Sequence, residues 1–67
     1  DELLALDQAL AQLERVRPRA AKLVELRYFG GMTFDEAAAD CETSLATAKR
    51  DWQFAVAFLQ DRLGRGI

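Results

Sequence analysis

The chain has 67 residues, 51% of them hydrophobic, with nine Lys and Arg against eleven Asp and Glu for a formal net charge of −2. That length bounds a single small domain of modest stability, and that apolar content is too high for a disordered tail. One cysteine and no histidine exclude an internal disulfide, a thiolate–imidazole metal site and a Ser-His or Cys-His nucleophile pair.

The first predicted element is a helix over about 2–16. Leu3, Leu6, Leu10 and Leu13 recur at three- and four-residue steps and draw one apolar stripe. Asp1 and Glu2 at its start and Arg15 at its end complement the helix dipole. Leu4 lies off the stripe and marks a place where preceding sequence would pack; the chain begins at Asp1 rather than Met, as a piece of a longer protein would. Arg17-Pro18 is a boundary, because proline restricts the residue before it and suits the first turn of a new helix.

A second helix is expected over about 18–29. Ala20, Leu23, Val24 and the aliphatic stem of Arg27 follow helical spacing, with Leu26, Tyr28 and Phe29 adding bulk. Gly30-Gly31 ends it, since glycine accepts the left-handed conformation of a C-terminal cap. Met32 precedes Thr33 as an apolar staple and Thr33 caps a short third helix, about 34–40. Asp35 and Glu36 sit in its first turn, where acids favour the dipole. Ala37, Ala38 and Ala39 are small enough for another helix to approach closely.

The chain turns at Cys41-Glu42-Thr43, and Ser44 caps a fourth helix over about 45–63, stopped by Gly64. At about 100° per residue, Leu45, Ala48, Trp52, Ala55, Val56, Leu59 and Leu63 fall on one side as a core face. Ala46, Lys49, Arg50, Gln53 and Ala57 fall roughly opposite. Phe54 and Phe58 lie between, either as a flank of the core against the first helix or as a partner patch. Arg65, Gly66 and Ile67 read as a frayed end. No apolar run approaches the ~20 residues of a membrane span.

The expected class is therefore all-α: a small four-helix domain whose third and fourth helices form a helix-turn-helix. In that arrangement the second helix of the pair lies in the DNA major groove. The groove-facing end would carry Ser44 and Thr47, whose hydroxyls can meet phosphate beside free backbone N–H groups. Lys49 and Arg50 follow one turn in, where Arg can read guanine at two points and Gln53 can read adenine; the alternative is a solvated surface pair. Net charge runs against phosphate-driven affinity: within 33–53, Asp35, Glu36, Asp40, Glu42 and Asp51 face only Lys49 and Arg50. Placement on the docking face counts for more than the sum. Asp35 and Glu36 are adjacent on a helix and form no acid–base pair. Cys41 has no neighbouring base and reads as an inert thiol. No enzyme, cofactor or metal is expected.

The segments R-P-R-x-A-x-L-V-E-L-R-Y-F-G-G-M-T (17–33) and T-A-K-R-D-W (47–52), taken together, resemble region 4 of sigma-70 family RNA polymerase sigma factors, closest to the extracytoplasmic-function (ECF) type. The resemblance spans about Leu6 to Leu63. It implies a four-helix, cytoplasmic domain whose last helix reads the −35 promoter element in double-stranded DNA. It also implies docking on the flap of the polymerase β subunit and cover by an anti-sigma protein, through hydrophobic surface on the second and fourth helices. By position, Ser44, Ala46, Thr47, Lys49, Arg50 and Gln53 match groove-facing residues of the family, and Arg27 and Thr33 match phosphate-facing ones. Glu42 stands where the turn usually has glycine, which predicts a different turn shape or strain of roughly 1 kcal/mol. Cys41 and Thr43 replace larger apolar residues, Ala37 and Ala48 stand where Ile and Val are common, and Ala46 replaces a frequent polar reader. Weak intrinsic affinity follows, tolerable where polymerase and a second DNA-contacting domain raise the effective concentration. Two other readings stay open: a sigma-like module that binds mainly protein, and a response-regulator effector domain.

Overall fold

The computed structural model describes the backbone of residues 2–64 and the side chains of residues 4–64. The expectations on Asp1, on the side chains of Glu2 and Leu3, and on Arg65 to Ile67 lie outside the described residues. All regular structure among the described residues is helical: α1 (Glu2–Val16), α2 (Pro18–Tyr28), α3 (Phe34–Asp40) and α4 (Leu45–Leu63).

Each boundary has a local cause. Arg17 alone separates α1 from α2, held extended at φ −148°, ψ 86° ahead of Pro18, whose missing N–H falls among the donors that a first turn leaves free. The second helix closes at Tyr28, one residue earlier than the glycine pair suggests. Phe29 is its cap, and the Phe29 and Gly30 N–H groups both donate to the Glu25 carbonyl. The two glycines do different work. Gly31 takes the left-handed conformation at φ +67°, whereas a Cβ on Gly30 would lie 2.7 Å from the Leu26 carbonyl oxygen.

Thr33 caps α3 and does so reciprocally. Its hydroxyl oxygen accepts the Glu36 N–H at 3.2 Å, and the Thr33 N–H donates to Glu36 Oε1 at 2.9 Å. Glu36 is thus one half of a capping box, beyond the dipole role expected of it. At the far end of α3, Glu42 N–H donates to Ala39 O and Thr43 N–H to Ala38 O, with Glu42 at φ +55°. That is the bonding of a Schellman turn with glutamate at the glycine position. The turn keeps its usual shape and carries the strain instead.

The core falls into two clusters. Ala9, Leu10 and Leu13 of α1, Ala20, Ala21 and Val24 of α2, and Ala55 and Leu59 of α4 make the first. Leu23, Ala37, Ala38 and Ala48 make the second, at the junction of α2, α3 and α4. Trp52 packs against both, and Met32 packs on the second. Phe54 and Phe58 are half-buried against the first cluster, their rings stacked 6.1 Å apart; of the two roles left open for them, they take the core flank. Two expectations for α4 fail. Leu45, placed on the core face, is 39% exposed, because it opens α4 outside both buried clusters. Asp51, counted among the surface acids, is 3% exposed.

Candidate nucleic-acid interface

The third and fourth helices leave about the first two and a half turns of α4 open on one side. Ser44, Ala46, Lys49, Arg50 and Gln53 are exposed and Thr47 is half-buried. At about 100° per residue, Ala46, Lys49, Arg50 and Gln53 span an arc of roughly 100°, a continuous outward face. Ser44 caps the helix: its Oγ accepts the Thr47 N–H at 3.1 Å and its O–H bonds with Thr47 Oγ1 at 2.9 Å. With Ser44's proton directed at Thr47, the free hydroxyl donor of this pair is on Thr47.

Charge placement resolves the conflict that net charge raised. Asp51 is inside the protein, where Oδ2 accepts from Arg19 Nε at 2.5 Å and Oδ1 lies 3.9 Å from Arg17 Nη1. Bond and charge together push the Arg19 guanidinium above its ordinary pKa. Asp40 pairs with Lys22 at 3.7 Å, and Glu36 is engaged in its capping box. Among the described residues, Asp35 and Glu42 form no ion pair, and neither do the exposed Lys49 and Arg50. Of the five acids within 33–53, Asp51 and Asp40 are thus ion-paired and Glu36 is held in its cap, while among the described residues both cations of the outward face are unpaired.

Thr33 and Arg27 are placed differently from the α4 residues. The Thr33 hydroxyl oxygen is the cap acceptor of α3, and among the described residues its O–H has no acceptor. Arg27 is half-buried, with its guanidinium 4.0 Å over the Phe34 ring and 4.8 Å from that of Trp52. Trp52 is edge-on to Phe34 and tilted against Tyr28, each at 5.5 Å. Arg27 Nε is buried and, among the described residues, has no hydrogen-bond partner. The ring stack therefore fixes the guanidinium on its flat side and leaves only its terminal nitrogens for an anion. The helical spacing that puts Arg27's stem toward the core accounts for half of this. The cation–π contact comes from α3 and α4 folding back on α2.

Asp51, Arg17 and Arg19 are what sequence reasoning missed. A signal was present: Asp51 sits three residues after Ala48 and four before Ala55, both of them wholly buried, so an acid there had to find a partner inside. Burial pushes the Cys41 thiol up, away from the thiolate that reactivity needs. Exposed large apolar side chains occur at the end of α2 (Tyr28 and Phe29) and on α4 (Leu45), and also on α1, where Leu4 and Phe29 border a shallow groove lined by Leu6 and Leu10. Among the described residues no acidic, Cys or His cluster is arranged to hold a metal ion, and no helix is long and apolar enough to cross a membrane.

The sequence model of one family, the ECF sigma factors, matches residues 1–65. No curated protein and no solved structure matches the chain. The match covers the capped helix pair and its supporting helices alike, and it assigns the helix-turn-helix to sigma factors rather than to response regulators. Sigma factors are non-catalytic proteins that work with RNA polymerase at promoter DNA. With four helices, a helix-turn-helix at the C-terminal end and a match over nearly its whole length, the chain belongs to the ECF sigma factor family and has the build of a region 4-like domain.

Proposed function

We propose that this domain recognises the −35 promoter element by laying the Ser44–Gln53 end of α4 in the major groove, and so helps direct RNA polymerase to start sites. The observation that carries this reading is the outward face of α4, with Lys49 and Arg50 exposed and, among the described residues, unpaired. The hydroxyls of Thr33 and Thr47, the terminal nitrogens of Arg27 and the backbone N–H groups at the end of α4 capped by Ser44 set the register through phosphate. Lys49 and Arg50 supply base readout, with Gln53 beside them and Ala46 admitting close approach. The partners are double-stranded promoter DNA, the β-subunit flap and an anti-sigma protein, and such work places the protein in the cytoplasm.

The test is a fluorescence-anisotropy titration against a random duplex pool at low and moderate salt, followed by selection of bound sequences. Arg50→Ala is expected to lose roughly 1–3 kcal/mol on the selected sequence and to relax preference there. Equal loss on every sequence would make Arg50 a phosphate contact. A second reading, docking of protein alone, draws on the net charge of −2 and the exposed Leu4 and Phe29. It predicts partner capture that survives Lys49→Glu with Arg50→Glu, and no DNA binding at low salt.

A further inference from the structure

Asp51 is the one buried charged residue among the described side chains, and it lies inside the helix proposed to read DNA, directly after Arg50. Two arginines from the start of α2 hold that helix at adjacent points. Arg19 Nε donates to Asp51 Oδ2 at 2.5 Å. Arg17 lies 3.9 Å from Asp51 Oδ1 and stacks its guanidinium 4.0 Å over Phe54, three residues further along α4. Between them, Pro18 occupies the first turn of α2 and Arg17 is held extended before it, so both arginines leave a rigid corner rather than a loop.

The later turns of α4 are held by Leu59, Phe54 and Phe58 in the other cluster, but the packing against α3 adds little to fix how its first turns are rolled about the axis. At the helix-turn-helix the buried cluster is mostly alanine: Ala37 and Ala38 on α3 against Ala48 on α4, with Leu23 of α2. Alanine ridges are low, and helices in contact through them are weakly interlocked. At about 100° per residue, Ala46, Lys49 and Gln53 lie within roughly 40° of the direction opposite Asp51. Pinning Asp51 to α2 therefore aims that face away from the body of the domain.

We propose that Asp51 is a positioning residue, and that the Arg17-Pro18-Arg19 corner is a clamp fixing the roll of α4 and hence which side chains meet the bases. Register control is the best-attested use of a buried ion pair, whose net contribution to stability is often small. The proposal rests on the DNA-reading function above.

The experiment compares Asp51→Asn, Arg19→Gln and the double variant with the wild-type domain in two ways. Without DNA, amide NMR signals of residues 46–53 and the Trp52 indole signal are expected to shift in both single variants, with helical circular dichroism retained. With DNA, the ratio of affinities for the selected and the random duplex is expected to fall about tenfold in each, the scale of coupling between contacting residues, and no further in the double. A preserved ratio with only a lower melting temperature would reduce the pair to a structural contact and overturn the proposal; so would losses that multiply in the double. If the wild-type domain prefers no duplex, the DNA-reading function fails. The amide signals then decide the clamp by themselves: unmoved signals overturn it, shifts in both variants sustain it. Arg19 is half exposed, so Arg19→Gln keeps the test open should Asp51→Asn unfold.

Discussion

The two halves of the core are built from different materials. The supporting half, where α1 packs on α2 and the later turns of α4, buries Leu10, Leu13, Val24 and Leu59, with Phe54, Phe58 and Leu63 at its edge. The reading half, where α2, α3 and the start of α4 meet, buries Leu23 and three alanines. A buried leucine contributes about 1.5–3 kcal/mol and an alanine far less. The bulk of the folding energy therefore resides away from the proposed DNA face, and the helix pair that makes the face is held by geometry. Its devices are the Thr33–Glu36 capping box, the Ser44–Thr47 cap, the Schellman turn at Glu42, the Arg19–Asp51 pair, and Trp52, which reaches into both halves. Small side chains let helices come close but leave them poorly interlocked, so directional bonds set the alignment that bulk sets elsewhere.

The sharpest way to break this contrast is Leu13→Ala. Leu13 is wholly buried in the supporting half, and the change is expected to cost about 2–5 kcal/mol. In a domain this small that is most of the available stability, so thermal unfolding by circular dichroism should show a large drop in melting temperature or no cooperative transition. An unaffected midpoint would mean that the energy is not concentrated there. Ala48→Leu tests the other half by addition. Ala48 is wholly buried between close helices, and the extra volume is expected to cost about 1–3 kcal/mol through overpacking. A stabilised variant would show that the reading half is underfilled rather than closely packed.

Smaller effects sharpen the picture. Thr33→Ala removes one side of the capping box and should cost about 1 kcal/mol, read as a modest shift of the urea midpoint at constant slope. A null result would indicate that the staple and the dipole suffice at this end of α3. Glu42→Gly runs the other way. Glu42 sits at φ +55°, where glycine is free of the roughly 1–2 kcal/mol that a left-handed conformation costs other residues, offset in part by the entropy glycine loses on folding. A net gain of several tenths of a kcal/mol is expected, and a loss would show that the Glu42 side chain makes a favourable contact of its own.

Much of the scaffold was legible because its signals are local. Pro18, the glycine pair, Thr33, Ser44 and Gly64 punctuate the chain, and each acts through backbone bonds to residues within one turn. The stripe Leu6, Leu10, Leu13 needs only helical periodicity to face inward. The outward face of α4 was legible for the same reason. What stayed hidden involves groups distant in sequence. Asp51 and Arg19 are 32 residues apart, so helical spacing that sets Asp51 beside buried alanines cannot name the partner that neutralises it. Leu45 looked like core because the wheel says nothing about where a neighbouring helix ends.

The sequence by itself determined four helices, their caps and the side of α4 that carries Lys49 and Arg50, because periodicity and capping are properties of neighbouring residues. Only the tertiary structure decided which charges are free. It buries Asp51 against Arg19, sets Lys22 on Asp40 and lays Arg27 across Phe34 and Trp52. Coulomb and stacking energies fall off with distance in space, and that distance exists only once α2, α3 and α4 have packed.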